Sequence, residues 1–149
     1  MPPFMDIDWA QVWYHLWHIA FAYLLALPIG LNRETSEIQF GMRTFPLVAV
    51  VTCGFMLVGI SVLDSTGSEA RVFQGLVTGI GFLGGGAILK HRESVIGTAT
   101  AASIWNMGAI GVATAFNRYE IAIVLSAINY VTLKMVGGLK NRLSEEEQE

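Results

Sequence analysis

The chain has 149 residues, of which 53% are hydrophobic and only 14% charged, with a net charge of −3; soluble domains carry roughly 25% charged residues. The charges gather in short patches separated by apolar segments of roughly 17–23 residues, each long enough as helix to cross a hydrocarbon core about 30 Å thick. That pattern points to an integral membrane protein. The absence of a basic run argues against nucleic-acid binding, and a single cysteine, Cys53, excludes an intrachain disulfide.

The first predicted span is 9–30. Trp9, Trp13, Tyr14 and Trp17 form an aromatic belt at one interface, and Pro28 with Gly30 is expected to close the helix. The preceding MPPFMDIDW lacks the basic region of a signal peptide, so this segment is expected to stay as an anchor. A polar connector, 31–44, leads to the second span, 45–63, with Pro46 in its first turn, where a missing N–H costs little. An acidic connector precedes the third span, 71–89. A short basic connector, KHRESVIG, precedes the fourth, 98–116, and the turn NRYE precedes the fifth, 121–136. The expected fold is thus an all-α, polytopic bundle of five transmembrane helices. Residues 1–137 form the membrane domain, and 138–149 a short, unordered polar tail after a glycine break.

Arg33, Arg43, Lys90, Arg92, Lys134, Lys140 and Arg142 fall on one side of this arrangement, Arg71 and Arg118 on the other. The basic side is expected to be cytoplasmic, which puts the N-terminus outside and the C-terminus in the cytoplasm.

Residues 79–84, GIGFLG, match the dinucleotide-binding pattern G-x-G-x-x-G. A nucleotide turn needs a strand before it, a helix after it and an acid about 20 residues on. Here the run is one apolar span and the next acid, Glu93, comes too early. The other use of glycine is close helix packing, because small residues let backbones approach where lipid supplies no hydrophobic drive. Gly75 with Gly79, and Gly81 with Gly85, are G-x-x-x-G pairs. With Gly84 and Gly86 they put glycine on two faces, which predicts a third span at the bundle centre. A break in the helix at GFLGGG, exposing carbonyls to an ion, is the competing reading.

The fourth span is also rich in small residues, with Ala99, Ser103, Gly108, Gly111 and Ala115. Asn106 is its one strongly polar group. It serves either as interhelical glue, paired with a carbonyl of the third span, or as a path lining. Arg33, Glu34 and Arg43 make a charge cluster at the cytoplasmic face, either ion-paired or solvated. His15 and His18 share a helix face but supply too few ligands for a metal, so an interfacial role is expected. No acid falls within a span, no catalytic set is apparent, and neither enzyme activity, a metal site nor a cofactor is expected.

GLNRE (30–34), GMRTFPLVA (41–49), GIGFLGGGAIL (79–89) and GTATAASIWNMGAIGVATA (97–115), in this order and spacing, resemble the membrane domain of the MgtC/SapB family over about residues 20–137. The resemblance implies a bacterial inner-membrane protein with five helices. Its motif positions map to Glu34, Arg43, Thr44, Gly79, Gly81, Gly84, Thr98, Ala101, Ala102 and Trp105. Asn32 stands where relatives usually carry glutamate or another polar group. Many relatives also carry a cytoplasmic ACT-like domain, whose regulatory binding is not expected of this chain.

The family is associated with growth in low magnesium and with survival of intracellular pathogens. The expected function is therefore non-enzymatic: modulation of magnesium homeostasis, or of a membrane complex such as an ion pump or ATP synthase, through helix contacts within the lipid bilayer, with a homo-oligomer as a further expectation. The alternative is a cation transporter or channel, with a path at the glycine-rich third span.

Overall fold

Among the described residues five helices form, in the order that the apolar segments predict. A computed structural model describes residues 7–34, 41–63, 65–91 and 94–146. The helices are α1 (Trp9–Glu34), α2 (Thr44–Val62), α3 (Thr66–Gly86), α4 (Thr98–Ala115) and α5 (Tyr119–Glu146). Strands β1 (Leu89–His91) and β2 (Ser94–Ile96) pair antiparallel between α3 and α4, with Lys90 opposite Val95. The sequence predicted only a connector there.

Local chemistry sets the helix ends. Ser65 lies in the extended region and its hydroxyl accepts from the Ser68 N–H, so α3 starts at Thr66 rather than at 71. Its end at Gly86 leaves 87–89 to the hairpin. Gly97, at φ 90°, takes the left-handed turn into α4, and a side chain there would run into the Ala87 carbonyl. α4 closes on Asn117, at φ 58°. Asn117 N–H donates to Thr114 O at 3.0 Å and Arg118 N–H to Ala113 O at 2.8 Å, the paired bonds of a Schellman cap.

Two predicted ends are overturned. α1 continues through Pro28 to Glu34. Proline deprives the Leu24 carbonyl, four residues earlier, of its N–H partner; the neighbouring Leu25 carbonyl accepts from Ser126 Oγ at 2.7 Å, which ties α1 to α5 at this turn. α5 runs on through Gly137 and Gly138 to Glu146, where a glycine break and an unordered tail were expected. The glycines cost about 1 kcal/mol each, but the good helix formers around them offset this.

The bundle centre is α4, not the glycine-rich α3. α4 packs against all four other helices, whereas α3 rests on α4 and α2. Eleven α4 residues are buried, against Ile80 and Gly84 alone in α3. The reason is volume: alanine, serine and threonine fill the centre while still letting helices approach, and glycine adds nothing to fill it. Large apolar side chains cap this core at Ile29, Phe45, Met56, Ile104, Met107 and Ile110.

Among the described residues, two helical stretches are long and apolar enough to cross a membrane by length and composition, Trp9–Asn32 and Thr44–Val62. α4 carries no charged residue, but its threonines, glycines, Ser103 and Asn106 hold its hydropathy down.

Candidate helix-packing site on α3 and α4

α3 is unbroken through GFLGGG. Its last carbonyls are used within the chain, with Ala87 N–H donating to Gly84 O at 3.1 Å and Ile88 N–H to Gly85 O at 3.2 Å. No gap opens there for an ion, so the broken-helix reading is not what this helix shows.

The glycines of α3 divide by direction. Gly84 faces α4: a Cβ placed on it would sit 3.5 Å from the Ala101 carbonyl oxygen and 3.6 Å from Trp105 Cδ1. Gly81 looks toward Trp105 Nε1 at 3.9 Å. Gly75, Gly79, Gly85 and Gly86 meet nothing within 4 Å. Gly75 and Gly79 instead line an open groove of about 790 Å3 between α2 and α3. Of the α4 positions singled out by sequence, the motif residue Ala101 and the packing residue Ser103 are buried, the motif residues Thr98 and Ala102 are exposed, and Trp105 is half-exposed over the α3 glycines.

The tightest helix approaches are at α4's own glycines. A Cβ on Gly111 would run into the Ala49 carbonyl and stand 2.9 Å from the Cys53 amide nitrogen of α2. One on Gly108 would run into Ile80 of α3. Both were visible as small residues, but sequence spacing favoured the denser glycines of the third span.

Asn106 is glue, to a different helix from the one expected. Its Nδ2 donates to the Leu125 carbonyl of α5 at 3.1 Å rather than to α3. Ser103 Oγ lies 2.9 Å from Ala99 O and 3.1 Å from Asn129 Oδ1. One hydroxyl proton serves one of these. Turning the Asn129 amide over lets its buried, unpartnered Nδ2 donate to Ser103 while Ser103 donates to Ala99. Either way the pair ties α4 to α5. Thr100 Oγ1 is buried without a hydrogen-bond partner.

The first two sequence motifs meet at a corner. A Cβ on Gly30 would stand 3.0 Å from Gly41 O and 3.2 Å from Met42 Cα. Thr44 opens α2 and lines the groove. Arg43 is the α2 N-cap and is exposed. The side chains of Arg33 and Glu34 lie outside the described residues, and with them the expected charge cluster.

A polar network at the opposite end was not anticipated. His18, read as interfacial, is 1% exposed. Its Nδ1–H donates to Tyr14 O at 2.7 Å. Its Nε2 lies 2.9 Å from both Asn117 Oδ1 and the Tyr119 hydroxyl. Asn117 Nδ2 donates to the Tyr14 hydroxyl at 3.1 Å. The only sequence signal was an asparagine just past a helix end.

The MgtC family model matches residues 19–142. The chain is similar to SrpB of Synechococcus elongatus, 32% identical over 85% of this chain and 75% of SrpB. It is similar to YhiD of Escherichia coli, named as a candidate magnesium transporter, 33% identical over 77% of this chain and 57% of YhiD. It is also similar to MgtC of Brucella abortus, 40% identical over 68% of this chain and 44% of that protein. The chain thus spans three quarters of the first and about half of the other two. No solved structure matches it significantly.

Proposed function

This chain belongs to the MgtC family, a family of membrane proteins associated with magnesium handling, and from that premise we propose that it is a five-span protein of the bacterial inner membrane that modulates magnesium homeostasis, or another membrane complex, by helix contact rather than by catalysis. Residues 1–137 form the membrane domain in this reading, with the N-terminus outside. The outer faces of all five helices support it. Leu24 on α1 is 61% exposed, Val58 on α2 60%, Phe82 on α3 84%, Trp105 on α4 50% and Ile128 on α5 59%. Large apolar residues exposed all around a bundle suit lipid, not water.

The observation that carries the contact role is the α3–α4 edge. Gly85 faces open space one turn from Gly81, which itself looks toward the half-exposed Trp105 at 3.9 Å. A G-x-x-x-G pair next to an exposed indole offers a second helix close backbone approach and an aromatic anchor. The partner class is another membrane helix, from a pump, an ATP synthase or a second copy. Recovery of a partner in mild detergent tests this: Gly85→Leu should lose the partner and growth in low magnesium, and Gly79→Leu should keep both. Loss with neither variant removes the basis of the proposal.

A second reading, cation transport, draws on the name of YhiD and on the buried, unpartnered Thr100 hydroxyl. Magnesium flux through pure protein in liposomes, abolished by Asn106→Leu, would favour it over modulation.

A further inference from the structure

The groove between α2 and α3 is hydrocarbon along its length, and Arg43 stands one residue beyond its Thr44 end. Leu47, Val51 and Phe55 of α2 face Gly75, Gly79 and Leu83 of α3 across it. Among the described residues, Thr44 and Thr52 are the only polar side chains lining it, and the Thr52 hydroxyl is spent on the Val48 carbonyl at 2.7 Å. The two glycines hold the groove open, since a Cβ on either meets nothing within 4 Å. Arg43 precedes Leu47 by four residues and Val51 by eight, so it extends the same helix face by one turn. It is exposed, and it caps the N-terminus of α2 without a side-chain cap bond. A cation there opposes the helix dipole. A bound anion would reverse that sign.

We propose that this groove is a lipid site, which takes one acyl chain of an anionic glycerophospholipid and sets its phosphate against Arg43. The inference rests on the membrane reading above. Size favours an acyl chain over a helix. From Thr44 to Phe55 the groove runs about 17 Å at 1.5 Å per residue, close to half of a ~30 Å hydrocarbon core, which is the reach of one leaflet. A membrane helix spans the full ~30 Å, about twice the groove's length. A single extended hydrocarbon chain lies within it. The charge at the mouth then selects the headgroup, and one arginine at an anionic surface is worth roughly fivefold.

The test uses the full chain in nanodiscs of equal phosphatidylglycerol and phosphatidylcholine with identical acyl chains, with retained lipid counted by native mass spectrometry. The wild type should retain phosphatidylglycerol over phosphatidylcholine by roughly fivefold. Arg43→Gln should bring that ratio near one while still holding lipid. Gly79→Leu and Gly75→Leu, whose added side chains fill the groove, should each lose the lipid with helical content unchanged. Equal retention of the two lipids by the wild type, or full retention by both leucine variants, overturns the site. A dimer that Gly79→Leu dissociates, with lipid retention intact, also overturns it and gives the groove to a second copy. Failure of the chain to enter nanodiscs sinks the membrane reading itself, whereas insertion without lipid preference sinks only this site.

Discussion

His18 and Asn117 lie 99 positions apart in sequence, yet Nε2 of one is 2.9 Å from Oδ1 of the other. The contact clamps α1 to the turn between α4 and α5, and the Tyr14 and Tyr119 hydroxyls close the network around it. The Tyr119 hydroxyl also reaches the Asn117 oxygen, at 3.2 Å, so one phenol bridges both ends of the clamp.

Asn117→Ala therefore removes two things, the left-handed cap and the clamp, and should lower stability by about 2–3 kcal/mol. Asn117→Gly keeps the turn and loses only the hydrogen bonds, at about 1 kcal/mol. Denaturant unfolding in detergent, followed by tryptophan fluorescence, separates them. Wild-type stability in both variants would show that the network carries no energy.

Gly111 and Gly75 should respond oppositely to alanine. At Gly111 the new methyl meets the Ala49 carbonyl and the Cys53 amide of α2, which are backbone and have little room to yield. Gly111→Ala should cost about 1–3 kcal/mol through overpacking. Gly75→Ala points into open space and should be neutral or gain up to about 1 kcal/mol from helix propensity. Melting temperatures of the two variants decide the matter, and a stable Gly111→Ala would contradict the packing described.

Asn106→Leu removes the bond to the Leu125 carbonyl and should cost about 0.6–2 kcal/mol. On the modulation reading, liposomes with the wild type and the variant show the same background magnesium leak. A leak present in the wild type and absent in the variant would place Asn106 on a transport path.

Cys53 is fully buried in α2 against α4. A maleimide should leave it unlabelled in the native protein and react after unfolding. Rapid labelling of the native state would mean that α2 and α4 part readily at Gly111.

On the proposed five-span reading, successive turns alternate between the two sides of the membrane. In a Cys53→Ala background, cysteines at Ser65 and Arg118 should react with an impermeant reagent from the outside of cells. Cysteines at Met42 and Val95 should react only from inverted vesicles. Any mixing of the two pairs breaks the topology.

The number of helices, their order and the family were legible in the residues alone. Those depend on local features: apolar runs cut by charge, Pro46 opening one helix, an asparagine after another, and four motifs in register. Where Pro28 and the Gly137–Gly138 pair stood, local rules predicted ends that the chain overrides, because the good helix formers around them outweigh the local cost. Tertiary structure alone decided which glycine face is used and which helix is central. A count of glycines marks every place where backbones can approach. Only the packing of α4's alanines, serines and threonines against four helices shows where they do, so Gly108 and Gly111 are the close contacts while Gly75, Gly79 and Gly85 stay open. The partners of Asn106 and His18 followed from the same packing, since a buried polar group bonds to whatever the fold sets beside it.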